Sequence, residues 1–175
     1  MAVEVVHRPL TLNEARRIHR ELKTTPNILG YTVRELRQQR DLFAAEVDNC
    51  FAGICFNTDL PLGWSEVAVL YVLPEFQGQG IGRTLFTLAC ARCHDRGRHT
   101  FVLSRNPTVV RWMEETGFAV APASWRAPLA FHLYGFWYMS NLYRWIEAFR
   151  ICGSLRNARP MMQGIRKHTT IKSAS

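Results

Sequence analysis

Three alternating glycines separate two apolar stretches in the middle of the chain. They belong to the segment Gln77-Gly78-Gln79-Gly80-Ile81-Gly82-Arg83, which lies between the apolar run Val67–Leu73 and the periodic run Ile81–Cys93. This order predicts a strand, a glycine loop and a helix. A helix begins with unpaired backbone N–H groups and a partial positive charge, and glycine lets a ligand approach the main chain closely. The segment is therefore suited to bind a pyrophosphate. A plain strand-to-helix turn is the alternative, but it would need only one glycine.

The glycine spacing does not fit a dinucleotide-binding chain. Such chains carry G-x-G-x-x-G near the start of a βαβ unit, with an acidic residue about 20 positions later. Here the order is Gln-x-x-Gly-x-Gly, and it occurs in mid-chain. The only acidic residue of the segment His94–Thr100 is Asp95, which comes too early. We therefore expect a different ligand that contains phosphate.

A second motif could hold haem or a metal. The segment Cys90-Ala91-Arg92-Cys93-His94 has the spacing of c-type haem attachment. Such attachment requires export, and no secretory signal is apparent in residues 1–10. A metal site or redox pair made by Cys90 and Cys93 is a further alternative, but no second ligand pair stands nearby. We expect no metal, and we expect Cys90 to be a small core residue.

The elements that position these motifs can be predicted from periodicity, caps and turns. Capping boxes at Thr11–Glu14 and Thr32–Glu35 each begin a helix, and Asp48-Asn49 suits a tight hairpin. Asn106-Pro107 begins a later helix, with Gly117 past its end. The predicted strands are Val3–Val6, Leu42–Val47, Phe51–Phe56, Trp64–Leu73, Thr100–Ser104 and one that begins at Phe118–Val120; the predicted helices are Thr11 to about Lys23, Thr32 to about Arg40, Ile81 to about Arg96, and Asn106 to Thr116. This order predicts a mixed α/β sheet in one domain over residues 1–152, with an aromatic-rich part from about residue 128.

Charge and cysteine content indicate the compartment and two further alternatives. The net charge is +8, and residues 153–175 contain five basic residues and no acidic one. We expect this basic segment to be a mobile tail, with weak contact to nucleic acid or an anionic membrane as an alternative role. Five cysteines without an apparent signal indicate reduced thiols and a cytoplasmic protein.

The segment from Phe131 to Met139 is unusually aromatic. It is too short and too interrupted for a transmembrane helix, which needs about 20 apolar residues. We expect it to form the last strands of the sheet, followed by a helix over Ser140–Arg150. A substrate-pocket wall, a homodimer surface and docking at a bilayer interface are the alternatives.

Three segments resemble the GCN5-related N-acetyltransferase (GNAT) superfamily. They are Glu66–Arg83, Phe101–Asn106 and Trp112–Phe118, and the first is the most specific. The resemblance covers Trp64–Phe118 well and the N-terminal half loosely. It implies a mixed, mostly antiparallel central sheet flanked by helices, and acetyl-CoA as donor substrate. The last two segments also resemble the acetyltransferase part of N-acetylglutamate synthases.

The resemblance assigns the cofactor contacts. The backbone N–H groups of the glycine loop would face the pyrophosphate: Gln77, Gly78, Gln79, Gly80, Ile81, Gly82 and Arg83. The main chain at Leu70 and Val72 would pair with the acetyl carbonyl and the pantetheine arm, where two strands splay apart in the family. Asn106 matches an asparagine that bonds pantetheine, although it can also cap a helix.

The resemblance also suggests a base and leaves the acid open. Glu66 lies eleven residues before Gln77, as does the catalytic glutamate of the histone acetyltransferase branch. On a strand it would share a face with Ala68, Leu70 and Val72, whose apolar surroundings would raise its pKa. The usual tyrosine is replaced by Met113, which cannot donate a proton. Tyr71 is the first substitute, with Ser104, Tyr134 and Tyr138 as further candidates.

The resulting expectation is an acetyl-CoA-dependent N-acetyltransferase that modifies a primary amine. A small metabolite or an amino acid is the first acceptor, and a protein or an aminoacyl-tRNA is the alternative. Because Met113 occupies the tyrosine position, a CoA-binding or membrane-associated module without turnover is the rival interpretation.

Overall fold

A seven-stranded sheet forms the centre of the protein. Its computed structural model describes residues 2–25, 28, 30–123, 127–138 and 160–168, and for 136–138 the backbone alone. The strands are β1 (Val3–His7), β2 (Leu42–Val47), β3 (Cys50–Leu60), β4 (Trp64–Val72), β5 (His99–Ser104), β6 (Ala119–Pro122) and β7 (Met162–Arg166), in the spatial order β1-β2-β3-β4-β5-β7-β6. Among these strands of the described residues, only β4 and β5 pair in parallel. The predicted mixed, mostly antiparallel sheet is therefore confirmed.

Helices cover both faces of the sheet. They are α1 (Leu12–Thr24), α2 (Val33–Gln38), α3 (Ile81–Asp95), α4 (Pro107–Glu115) and α5 (Leu129–Tyr138). Both predicted capping boxes are present, because Thr11 and Thr32 each exchange hydrogen bonds with the glutamate three residues later. The apolar side chains divide into two clusters. The first packs α3 and α4 against one face, and the second packs α1 and α2 against the other.

The alternation of side chains between the two faces of the sheet reverses halfway along strand β4. Its register with β3 shifts between Phe56↔Val69 and Asn57↔Val67, so Ala68 is an extra residue in β4. This β-bulge reverses the alternation of side chains. Val67 packs on the α3 side, but after the bulge Leu70 and Val72 pack there, while Val69 and Tyr71 lie on the α1–α2 side. The predicted common face for Glu66, Leu70 and Val72 is therefore wrong.

Two other expectations are corrected by the C-terminal part of the structure. The aromatic segment begins with helix α5, where a strand was expected, and the predicted helix over Ser140–Arg150 lies outside the described residues. The basic segment is not simply a tail, since Met162–Arg166 forms β7 between β5 and β6. None of the helices in the described residues has the length and apolar character required to cross a membrane.

Candidate active site

The glycine loop presents a row of unpaired amides at the start of a long helix. A short 3₁₀ turn, Pro74–Phe76, leads from β4 into the loop, and α3 follows with Gly80 as its N-cap. The N–H of Gln77 bonds Pro74 O at 3.3 Å, and that of Arg83 bonds Gly80 O at 3.0 Å. Between them, the N–H groups of residues 78–82 make no hydrogen bond to the described part of the chain. Of the seven amides predicted to face a ligand, those of residues 78–82 thus have no partner in the described part of the chain, and their contact with a ligand stays a prediction.

Each of the three glycines has a physical reason to be glycine. Gly78 and Gly80 have φ angles of +78° and +81°, in the left-handed region where side chains are strained. At Gly82 the reason is contact, because an added Cβ would lie 3.2 Å from Cη2 of Trp112 and 3.6 Å from Cγ2 of Val72. Gly82 thus lets α3 pack closely on α4 and β4. No sequence pattern indicates that Trp112 is its partner.

Strands β4 and β5 separate beside this loop. Their pairing runs from Trp64↔His99 to Val67↔Val102, while β4 continues to Val72 alongside β3. Leu73 donates its N–H to Ala52 of β3 at 2.8 Å. Because backbone groups alternate in direction along an antiparallel strand, the N–H and C=O groups of Leu70 and Val72 point away from β3, into the gap. This is the arrangement that the predicted contacts to an acetyl carbonyl and a pantetheine arm require.

One of these main-chain groups already has a partner. The side-chain amide of Gln77 donates a hydrogen bond of 2.9 Å to the carbonyl oxygen of Val72. At Val72, the N–H is therefore the group that remains for a ligand. The sequence predicted a role for the Gln77 backbone, whereas the structure gives its side chain a role as well.

The remaining predicted cofactor residues lie at the rim of the gap. Arg83 is exposed and forms a salt bridge of 3.0 Å with Glu115 on α4. Asn106 caps α4 by accepting the Thr108 N–H at 2.9 Å through Oδ1. Its Nδ2 group makes no hydrogen bond to a described residue and stays available to a ligand. The capping role and the predicted ligand role can therefore coexist.

Glu66 lies on the opposite face of the sheet from α3, because the next residue, Val67, packs on the α3 side. It pairs with Thr58 of β3 and with Phe101 of β5, and Phe101 contacts Phe131 of α5 at a ring-centroid distance of 4.8 Å. Some of its side-chain surface reaches solvent, but no described residue hydrogen-bonds or pairs with its carboxylate. Burial raises the pKa of Glu66 to about 7. The expected direction of the pKa shift thus holds, although Leu70 and Val72 lie on the other face of the sheet.

Tyr71 lies on the same face as Glu66 but near the other end of β4. Its hydroxyl donates a hydrogen bond of 2.9 Å to Glu21 of α1. Burial, followed by the hydrogen bond to Glu21, raises the pKa of Tyr71. Five residues of strand separate it from Glu66, or roughly 16 Å. The structure does not bring these two predicted catalytic residues together.

Met113, the residue at the position of the family's tyrosine, cannot supply a proton. Met113 is fully buried, and its Sδ faces Gly164 of β7 so closely that an added Cβ at Gly164 would lie 2.6 Å away. Among the other acid candidates, the Ser104 hydroxyl accepts the Asn106 N–H at 3.1 Å. Tyr134 has a polar or ring partner of its own, and the side chain of Tyr138 is not described.

The cysteine motif belongs to the core of the α3 side. Cys90 and Cys93 are buried, and burial raises the pKa of Cys90 to about 12 and that of Cys93 to about 11. Within the described ranges, no three His, Cys, Asp or Glu side chains are placed to hold a metal ion. A cavity of about 400 Å³ lies beside this helix, at the end of the sheet away from the glycine loop.

Comparison with protein families gives one match that covers most of the chain. The model of the acetyltransferase (GNAT) family matches residues 11–118. This range includes the glycine loop, the gap between β4 and β5, Glu66 and Met113. A search of curated proteins found no match.

Solved structures with the same fold include several acetyltransferases. N-acetylglutamate synthase from Neisseria gonorrhoeae, complexed with coenzyme A and N-acetyl-glutamate, has a TM-score of 0.68 at 17% identity over 97% of this chain. This chain spans 36% of that enzyme's length. Rv2747 from Mycobacterium tuberculosis, in complex with CoA, has a TM-score of 0.64 at 14% identity, covering 93% of this chain and 98% of that one. The ribosomal-protein-S18-alanine N-acetyltransferase from Escherichia coli has a TM-score of 0.61 at 12% identity, with 99% of both chains covered. At these identities the likeness shows the fold alone.

Proposed function

Because this chain belongs to the acetyltransferase (GNAT) family, we propose that it transfers an acetyl group from acetyl-CoA to a primary amine. The observation that carries the proposal is the continuity of two stretches of backbone whose N–H groups have no partner among the described residues. The main chain of Leu70 and Val72 faces the gap between β4 and β5, and the free amides of residues 78–82 follow directly. Together they match an acetyl-pantetheine arm that ends in a pyrophosphate.

The donor would bind along this path. Its pyrophosphate would accept hydrogen bonds from the five free amides at the start of α3, where the helix dipole favours an anion. The arm would lie in the gap, near the Nδ2 group of Asn106 at its rim. The N–H of Leu70 would polarise the acetyl carbonyl, and such a donor stabilises the developing oxyanion by about 3–4 kcal/mol.

The amine would approach from the α1–α2 side of the sheet. Glu66 lies on that side and has a pKa near 7, which suits a general base at neutral pH. Leu70 lies four positions further along β4, or roughly 13 Å away, so the proton would have to pass along a chain of several water molecules. A base of this kind accelerates the reaction by about 10²–10⁴-fold.

The departing thiolate would take its proton from Tyr71 in this scheme. Support comes from its position on the acceptor side, where its hydroxyl is protonated at neutral pH; its raised pKa makes it a weaker acid than an ordinary tyrosine. The hydroxyl would first have to leave Glu21. A free amino acid or another small amine stays the first candidate for the acceptor.

Two measurements test this function. Millimolar CoA should raise the melting temperature of the protein, and its failure to do so would contradict the donor assignment. Incubation with acetyl-CoA and a panel of amines should release free thiol together with a mass gain of one acetyl group on the acceptor. Stabilisation by CoA without acetylation of any amine would favour the second candidate, a CoA-binding module without turnover. The specific observation behind that candidate is the buried Met113 at the tyrosine position.

A further inference from the structure

The outward surface of the first two helices is rich in unpaired arginines. We call it the α1–α2 arginine surface, and it consists of Arg16 and Arg20 of α1, Arg34 and Arg37 of α2, and Arg40 just after α2, all of which are exposed. None of the five side chains makes a hydrogen bond or ion pair with another described residue. Since α1 and α2 pack side by side on one face of the sheet, these side chains project from the same side of the protein.

The acidic residues of the same helices are turned towards partners within the fold. Glu14 accepts two hydrogen bonds from Arg8, at 2.7 and 2.9 Å, and Glu21 accepts the Tyr71 hydroxyl at 2.9 Å. Glu35 accepts the Thr32 N–H at 2.7 Å in its capping box. These carboxylates therefore do not neutralise the arginines that point outwards.

The charge of this region is large relative to the whole chain. Residues 12–40 contain six arginines, one lysine and three glutamates, a net charge of +4 against +8 for all 175 residues. Half of the excess charge thus lies in the segment that contains these two helices, beside the candidate active site, and not on the C-terminal segment alone. Contact between α1 and the site is direct, through Tyr71–Glu21 and through the salt bridge of Arg17 with Glu75.

The residue types favour phosphate as the ligand. The planar guanidinium group forms paired hydrogen bonds with phosphate, and arginine is the usual residue for that contact. Arg16 and Arg20, like Arg34 and Arg37, stand one helical turn apart, with about 5–6 Å between Cβ atoms. No aromatic side chain is exposed on the described part of these helices, so they offer no ring on which the bases of a single strand could stack.

A membrane fits this surface less well. A helix that lies in a bilayer interface must insert an apolar face between lipids. The apolar face of α1 is already buried against the sheet, with Ala15, Ile18 and Leu22 fully covered. What remains for a partner is cationic and carries little apolar area.

We propose that the α1–α2 arginine surface binds the phosphate backbone of a double-helical nucleic acid, without reading its sequence. Such contact releases condensed counterions, so the affinity must fall steeply with salt. With about five phosphate contacts, affinity falls roughly 500-fold between 50 and 200 mM salt. The proposal concerns binding and does not depend on acetyl transfer.

The test is fluorescence anisotropy of the full chain with a labelled RNA hairpin and a DNA duplex of equal length. Arg16→Gln/Arg20→Gln removes two contacts, so its salt dependence should fall to roughly 40-fold over the same range. The control, Arg111→Gln/Lys167→Gln, removes two charges from exposed positions elsewhere, one of which, Arg111, lies 3.6 Å from Glu115 in an ion pair, and it should keep the full dependence. Unchanged melting temperatures would show that both variants fold.

The outcomes divide cleanly. A weaker salt dependence in Arg16→Gln/Arg20→Gln but not in the control, with the RNA or with the DNA probe, supports the proposal. Comparison of the two probes shows which nucleic acid is bound. An equal weakening of the salt dependence in both double variants would overturn the proposal. So would the absence of binding to either probe at 50 mM salt. Tighter binding to phosphatidylserine vesicles than to either probe, weakened by the same two substitutions, would replace nucleic acid by a membrane surface.

Discussion

The side-chain amide of Gln77 lies 2.9 Å from the carbonyl oxygen of Val72 and donates a hydrogen bond to it. This bond joins the start of the glycine loop to the end of β4, across the 3₁₀ turn between them. It also fixes which polar group of Val72 can meet a ligand, because the carbonyl is occupied. The loop and the gap are therefore held in one orientation relative to each other.

Removal of this link should weaken CoA binding. We expect Gln77→Ala to raise the dissociation constant of CoA about 5-fold, since a hydrogen bond of this kind contributes about 1 kcal/mol. Isothermal titration calorimetry measures the change. Gln79→Ala is the control, because that side chain is exposed and makes no hydrogen bond to a described residue. An equal loss in the control would show that the Gln77–Val72 bond is not the cause.

The contact between Gly82 and Trp112 should be sensitive to added volume. Gly82→Val would push against the indole, which already lies at the limit of contact for a Cβ. We expect the free energy of unfolding to fall by about 1–3 kcal/mol, as in other overpacked sites. Urea denaturation measures it. Trp112→Leu in the same chain should restore part of the loss, and strictly additive losses would argue against this packing.

Acetyl transfer should depend on the ionisation of Glu66. Since the pKa of Glu66 is about 7, kcat/KM should rise with pH through that value as the carboxylate forms. Glu66→Gln should lose this rise and about 10²–10⁴-fold of the rate. Thiol release over pH 5.5–8.5 gives the profile. A variant with the profile of the original protein would remove Glu66 from the role of base.

The same group should also affect stability. A carboxylate with a pKa raised from 4.5 to about 7 holds its proton more tightly in the folded state. The free energy of unfolding should therefore fall as the pH rises from about 4.5 to 7 and change little from this cause above 7. The fall is at most about 3 kcal/mol. Glu66→Gln should lack it, so urea denaturation at pH 5 and pH 8 compares the two proteins.

Tyr71 can be tested against its own hydrogen-bond partner. Tyr71→Phe should lower kcat about 10²-fold if its hydroxyl protonates the thiolate. Glu21→Gln keeps the hydroxyl and should retain most of the activity. Steady-state thiol release separates kcat from KM. A large loss in Glu21→Gln and little in Tyr71→Phe would mean that the contact matters for structure and not for proton transfer.

Introducing a tyrosine at position 113 should not supply a proton donor. Met113 is fully buried against Gly164, and the larger ring would overpack this part of the core. We expect Met113→Tyr to lower the free energy of unfolding by about 1–3 kcal/mol without a gain in kcat. Met113→Leu, of similar volume, is the control. Higher kcat in Met113→Tyr would show that the ring reaches the gap.

The parts of the fold that local chemistry determines were predictable. The capping boxes at Thr11 and Thr32 begin α1 and α2 as expected, and Asn106 with Pro107 begins α4. Asp48 and Asn49 adopt φ angles of 47° and 65°, as a tight hairpin between β2 and β3 demands. In each case the residues that signal the structure also form its hydrogen bonds or its turn.

The predictions that were wrong concern elements whose structure depends on partners distant in sequence. The β-bulge at Ala68 is a shift in the register between β4 and β3, and no residue type in β4 predicts it. Strand β7 contains Gln163, Gly164 and Arg166, and it becomes a strand because β5 and β6 lie on either side. The aromatic segment was expected to extend as strands because of its residue types, but α5 instead packs Phe131 on Phe101. Tertiary contacts override local propensity at these places.

The placement of β7 has a consequence for synthesis of the protein on the ribosome. Strand β6 ends at Pro122 and β7 begins only at Met162, yet β7 must slot between β5 and β6. At translation rates of about 5–20 residues per second, the intervening stretch takes about 2–8 s to emerge. For that interval β5 and β6 expose open edges that invite pairing with other nascent chains. Arg166 then locks the late strand in place, through bonds to the carbonyls of Cys90 and Thr116 at 3.1 and 3.2 Å.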